Sequence, residues 1–138
     1  MENDDAAQIL NGIGQTLTKA FGKTPEGLLL YAELDTNMVG PSVFELRNRE
    51  IQYHWPPDDL TYPLLDLWEL GEPGKRWFCI EYVIRDGAFK ATFTYPEDAD
   101  PDEDEGRRRD RIVWRNFGQL PIVYPPWPDD ANEDFKLT

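Results

Sequence analysis

Residues 75–95 read KRWFCIEYVIRDGAFKATFTY, and the reading of this stretch decides the fold class. Phe78, Ile80, Tyr82 and Ile84 occupy alternate positions, the period of a strand with one face buried. Asp86-Gly87 supplies a two-residue turn of the kind that tolerates positive φ at both central positions. Phe89, Ala91, Phe93 and Tyr95 carry the alternation back on a returning strand. An antiparallel hairpin is predicted here.

Upstream, residues 27–55 keep the same period. Leu28, Leu30, Ala32 and Leu34 alternate with Leu29, Tyr31, Glu33 and Asp35, which predicts a half-buried strand. Glu33, and Glu81 of the hairpin, then belong on the solvent face of the sheet. Asn37 to Pro41 reads as a turn, Val43 to Arg47 as a second strand, and Ile51 to Trp55 as a third that Pro56-Pro57 closes.

Three segments have helical spacing. In the first, Ala6, Ile9, Leu10, Ile13, Leu17 and Phe21 share a face, with Asn3 or Asp4 as cap and Gly22 as terminator. Gly12-Ile13-Gly14 resembles the start of a dinucleotide loop. However, no strand precedes it, and Leu17 stands where a third glycine is needed, so close packing of another element is expected instead. The second helix starts with Asp59 or Thr61 as cap and Pro63 in its first turn, continues through Leu64, Leu65, Leu67, Trp68 and Leu70, and ends at Gly71 and Pro73. The third runs from about Gly106 to Asn116. Arg107, Arg108, Arg109, Arg111 and Arg115 are assigned to its wet side, and Ile112, Val113, Trp114 and Phe117 to its apolar side.

The order helix, strands, helix, hairpin, helix gives an α+β fold: one domain over residues 1–120, with an antiparallel sheet of about five strands and three helices. Residues 121–138 form a proline-rich acidic tail, read as extended and pinned by Trp127.

At 138 residues the chain has the length of a single domain, and 40% hydrophobic residues provide a core without disulfides or metal. Its 27 Asp and Glu against 14 Lys and Arg give a net charge of −13. That charge repels phosphates, so neither nucleic acid nor an anionic membrane is an expected partner, whereas a basic protein is. No apolar run approaches the ~18 residues of a membrane span. Met1-Glu2-Asn3-Asp4-Asp5 is acidic where a signal peptide is basic, and the single cysteine suits a reducing compartment, so the chain reads as cytoplasmic.

Chemistry has few carriers. Ser42, His54 and Cys79 are each the sole residue of their type. Gly40-Pro41-Ser42-Val43-Phe44 lacks the second glycine of a nucleophile elbow, and Cys79 falls mid-strand among apolar residues, where a thiolate is disfavoured. Asp98, Asp100, Asp102 and Asp104 alternate as in the opening of a calcium loop. Glu103 and Arg109 nevertheless occupy the positions that need glycine and a bidentate glutamate. Zinc has too few nitrogen and sulfur ligands. With 27 acids some carboxylate pair always exists, so their abundance carries no signal for acid–base catalysis. No catalytic residue, metal or cofactor is assigned.

The charge pattern is more informative. Glu97 to Glu105 is acidic except at Ala99 and Pro101, and residues 105–118 carry a local +3. Either the loop's charges are partly answered by those arginines, or the loop is an anionic surface that steers a cationic protein partner.

Gly87-Ala88-Phe89, Phe93-Thr94-Tyr95, the acidic loop, Arg108-Arg109 and Ile112-Val113-Trp114 together resemble the C-terminal half of the YezG-like bacterial immunity proteins. Leu30-Tyr31-Ala32-Glu33-Leu34 resembles that family's first strand, and the element order is similar over about residues 8–120. The loop is more acidic than the family pattern, and the tail after Pro121 has no counterpart in it. The resemblance implies a small acidic α+β protein that neutralises a cognate toxin, often a nuclease, inside the producing cell. The expected function is therefore stoichiometric inhibition without enzymatic activity. No family motif places the interface, so its assignment rests on charge. Asp98, Asp100, Asp102, Glu103, Asp104 and Glu105 are the candidate partner-binding residues, with Trp127 as an anchor. The alternatives are an acidic scaffold subunit unrelated to toxins and, after it, a small carboxylate- or metal-dependent hydrolase.

Overall fold

The computed structural model describes the backbone of residues 2–126 and the side chains of residues 4–126, so Trp127 and the rest of the expected tail lie outside the described residues. At the centre is β1 (Leu28–Asp35), paired antiparallel with β2 (Met38–Arg47) on one side and β4 (Cys79–Arg85) on the other. Beyond β2 comes β3 (Glu50–His54), and beyond β4 comes β5 (Ala88–Thr94). The short β6 (Ile122–Val123) joins β3 in parallel, giving the order β5-β4-β1-β2-β3-β6. The α+β class stands. The sheet has six strands rather than about five, is mixed rather than wholly antiparallel, and takes in two residues beyond position 120.

β1 is not half-buried. Leu28 through Leu34 are all buried, because helices cover both faces of the sheet. On one face α1 (Glu2–Phe21) and α2 (Thr61–Glu69) bring Ile13, Leu17, Leu64, Leu67 and Trp68 against Leu28, Leu30, Ala32, Ile80 and Tyr82. On the other, α3 (Glu105–Phe117) brings Ile112, Val113 and Phe117 against Leu29, Tyr31, Phe44, Ile51 and Cys79. A strand covered on both faces reads as a near-continuous apolar run, as Leu28-Leu29-Leu30 does.

The strands return through two-residue turns. Asp86 and Gly87 have φ of 55° and 76°, and Asn48 and Arg49 have 53° and 64°, the positive values that match the twist of a hairpin. The expected turn over Asn37 to Pro41 is shorter: β2 already begins at Met38, so Pro41 lies within the strand. Its missing N–H faces the β3 side, where β3 has ended at His54 opposite Val43, so no ladder bond is lost.

The helix ends differ in part from the reading. α1 starts at Glu2, which puts Asn3 and Asp4 inside it, while Gly22 terminates it at φ 70° as expected. α2 is preceded by a 3-10 turn, Asp58–Leu60; buried Leu60 takes the cap position, and neither Asp59 nor Thr61 caps. At Gly14 the predicted close approach is found, since a Cβ there would lie 2.6 Å from the Tyr82 hydroxyl, but Gly12 faces open space.

Candidate partner-binding surface

The acidic segment is held in a defined shape by its own backbone. Pro96–Asp98 forms a 3-10 turn, the Asp100 carboxylate accepts from the Asp102 amide at 2.9 Å, and the Glu103 amide donates to the Asp100 carbonyl at 3.1 Å. Asp104 then caps α3, accepting from the Arg107 amide at 2.8 Å. The candidate residues divide here. Glu103 turns inward and accepts a two-pronged contact from Arg111, at 2.7 and 3.0 Å. The Arg111 guanidinium holds the Glu103 carboxyl below its ordinary range. Asp104 serves the helix. Glu97, Asp98, Asp100, Asp102 and Glu105 are exposed and make no ion pair among the described residues. Trp127 lies outside those residues.

The arginines of α3 are not all on a wet face, because α3 lies across the sheet. Arg108 donates to Glu33 at 2.5 Å and to the Glu103 carbonyl at 2.8 Å, with its guanidinium 5.0 Å from the centre of the Phe78 ring. Arg115 donates to Glu81, which also accepts from Asn116. Glu33 and Glu81, expected on the solvent face, are 8% and 5% exposed. They sit on the α3 side of neighbouring strands, Tyr31 opposite Glu81, so one helix reaches both. A buried carboxylate needs such a partner. The Tyr31 hydroxyl donates to Glu33 as well, and burial followed by that hydrogen bond pushes the phenol far above its ordinary value. A signal for this clamp existed in the sequence: Arg108, Ile112 and Arg115 are spaced four and three apart, on one helical stripe.

Consequently the expectation that the arginines partly answer the loop's charges holds for Glu103 and Asp104, and five carboxylates of the segment are left without an ion pair among the described residues. The arginines answer Glu103 and Asp104 in the loop, Asp110 within α3, and Glu33 and Glu81 on the sheet. Arg107, 3.8 Å from Asp104, is the most exposed partner.

The remaining reactive side chains do not converge. Ser42 and Cys79 lie on the α3 side of the sheet and His54 on the α1 side, where His54 contacts Glu45 at 2.9 Å and packs on Phe21. Burial pushes the Cys79 thiol up to about 12. Among the described residues no three His, Cys, Asp or Glu side chains gather to hold a metal ion. Nor is any helix among them long and apolar enough to cross a membrane.

A scan against protein-family models gives no match. A search of the curated proteins gives no significant match.

Proposed function

We propose that this chain is an acidic immunity protein, which binds a cognate toxin with a cationic surface and neutralises it by one-to-one association in the cytoplasm. The observation that supports this reading is the uncompensated carboxylate row. Glu97, Asp98, Asp100 and Asp102 project from the loop and Glu105 from the first turn of α3, while the nearest cations are engaged with Glu33, Glu81, Glu103, Asp104 and Asp110. Such a row raises the encounter rate with a cationic partner and fixes its orientation more than it adds affinity. Glu103 and Asp104 position the loop, and Trp127 is proposed as a further anchor for the partner. A nuclease toxin, whose substrate-binding surface must be cationic, fits this surface.

The test is affinity capture by the tagged full chain from lysate of its source cells, washed at low and at high salt, with mass spectrometry of what is held. A single one-to-one partner with a basic domain, released by salt and toxic when expressed alone, is the expected result. A housekeeping complex held regardless of salt would point to the scaffold reading.

A further inference from the structure

One edge of the sheet is long and, among the described residues, uncovered by any strand. The Leu34 amide donates to the Phe78 carbonyl at 2.9 Å, which turns the even-numbered residues of β4 toward β1. Cys79, Glu81, Val83 and Arg85 therefore bond to β5, through Thr94, Thr92, Lys90 and Ala88 opposite them. Phe89, Ala91 and Phe93 are left with N–H and C=O directed away from the sheet. Natural sheets protect such edges with prolines, bulges, charges or very short strands. β5 has no proline and an unbroken register with β4, and its one charge is Lys90. The opposite edge, β6, is two residues long.

Two hollows flank this edge, one on each face of the sheet, and Ala88 and Phe89 line both. The hollow on the α3 side, about 510 Å³, is walled by Arg85, Lys90 and Arg115 above Glu81. Its counterpart on the α1 side, about 570 Å³, is lined by Tyr82, Ile84 and Phe89 of the sheet and by Gln15, Thr18 and a single cation, Lys19, of α1. Successive side chains of an added strand point to opposite faces, so they would enter the two hollows in turn.

We propose that the β5 edge receives an extended segment of a partner protein as a seventh strand, with carboxylate side chains on the α3 side and apolar ones on the α1 side. Charge complementarity selects this occupant. Arg85 is held by the Asn116 carbonyl at 2.8 Å and lies over the Phe117 ring, Arg115 matches Glu81, and Lys90 has no anionic partner among the described residues. In a chain of net charge −13, cations gathered around one opening exceed their single buried carboxylate. A second copy fits less well, because pairing β5 with itself brings together two Lys90 walls and two highly acidic chains. This inference does not rest on the immunity reading.

The probe is the peptide acetyl-VEVEVEVE-amide, titrated into the labelled full chain and followed by amide NMR and hydrogen exchange. The expected result is saturable shifts at the Phe89, Ala91 and Phe93 amides, with slowed exchange there. The VKVKVKVK analogue should bind at least ~10-fold more weakly, and Lys90→Glu should reverse that order. A VEVEVEVE peptide N-methylated at alternate residues, which lacks the bridging donors, should not bind. Four results would each overturn the proposal: no saturable shift at millimolar peptide, equal binding of the lysine peptide, equal binding of the methylated one, or protection of these amides in the chain alone. The last would mean that a second copy or the chain's own residues 127–138 already cover the edge.

Discussion

Arg108→Ala removes the cation that faces a buried carboxylate, and the consequence follows from geometry. The Arg108–Glu33 contact is 2.5 Å, and the two side chains are 12% and 10% exposed. Deleting one member of such a pair leaves a charge without compensation in a poorly solvated site, a change that typically costs about 3–5 kcal/mol. Tyr31 still donates to Glu33, and water can enter from the end of α3, so the lower end, about 3 kcal/mol, is expected. For a chain of this length that corresponds to a fall of roughly 10 °C in Tm. Arg107→Ala is the control: its contact with Asp104 is 3.8 Å long and about three-quarters exposed on both sides, so it should change stability by less than about 0.5 kcal/mol. Glu33→Gln in the Arg108→Ala background should recover part of the loss, because the orphaned charge is gone. Urea unfolding followed by tryptophan fluorescence gives all four corners of the cycle, and the coupling should exceed about 1 kcal/mol. If the two substitutions are additive, or if Arg108→Ala costs no more than Arg107→Ala, α3 is not clamped to the sheet by this pair.

Other consequences are simpler to measure. Gly12→Ala should stabilise the chain by up to about 1 kcal/mol, since a methyl there meets nothing and helix propensity rises. Gly14→Ala should destabilise it, because its Cβ meets the Tyr82 hydroxyl, and Tyr82→Phe should reduce that penalty; thermal melts separate the two glycines. The Glu103 carboxyl is held below its ordinary value of 4.5 by Arg111, so its stabilisation is complete above that pH and is lost as pH falls through the depressed value. Arg111→Ala should therefore flatten the decline in stability below about pH 4.5, measured by denaturant unfolding across the acid range. Cys79, with its thiol pushed up to about 12, should stay neutral at pH 8 and resist a thiol reagent until the chain unfolds. Rapid labelling of the native chain would place Cys79 outside the core.

Most of the fold was legible because the strand period and the Asp86-Gly87 turn are local signals. The misreadings have tertiary causes. Glu33 and Glu81 alternate with apolar residues as solvent-facing positions do; only the arrival of α3, brought over them by a long connection, turns that face inward. Composition assigns the arginines to water, although the spacing of Arg108, Ile112 and Arg115 puts two of them on the packed stripe. Leu60 at the start of α2 shows burial prevailing over capping preference, which no local rule weighs. Two-residue β6 is too short to show any period, and its pairing depends on where Pro121 lands beside Ile51. Of the acidic segment, the sequence supplied the charge. It did not indicate that Glu103 and Asp104 hold the loop while Glu97, Asp98, Asp100, Asp102 and Glu105 face solvent.

That division makes the loop the place to test the central claim. With the captured partner immobilised, association rates are measured at 0.1 and 0.5 M salt for the native chain and for a variant carrying Asp98→Asn, Asp100→Asn, Asp102→Asn and Glu105→Gln. The native rate should fall at least ~10-fold across that range, and the variant should associate slowly at both concentrations with little salt dependence. A native association rate indifferent to salt, or a variant that retains the native salt dependence, would contradict the claim that this carboxylate row steers the partner.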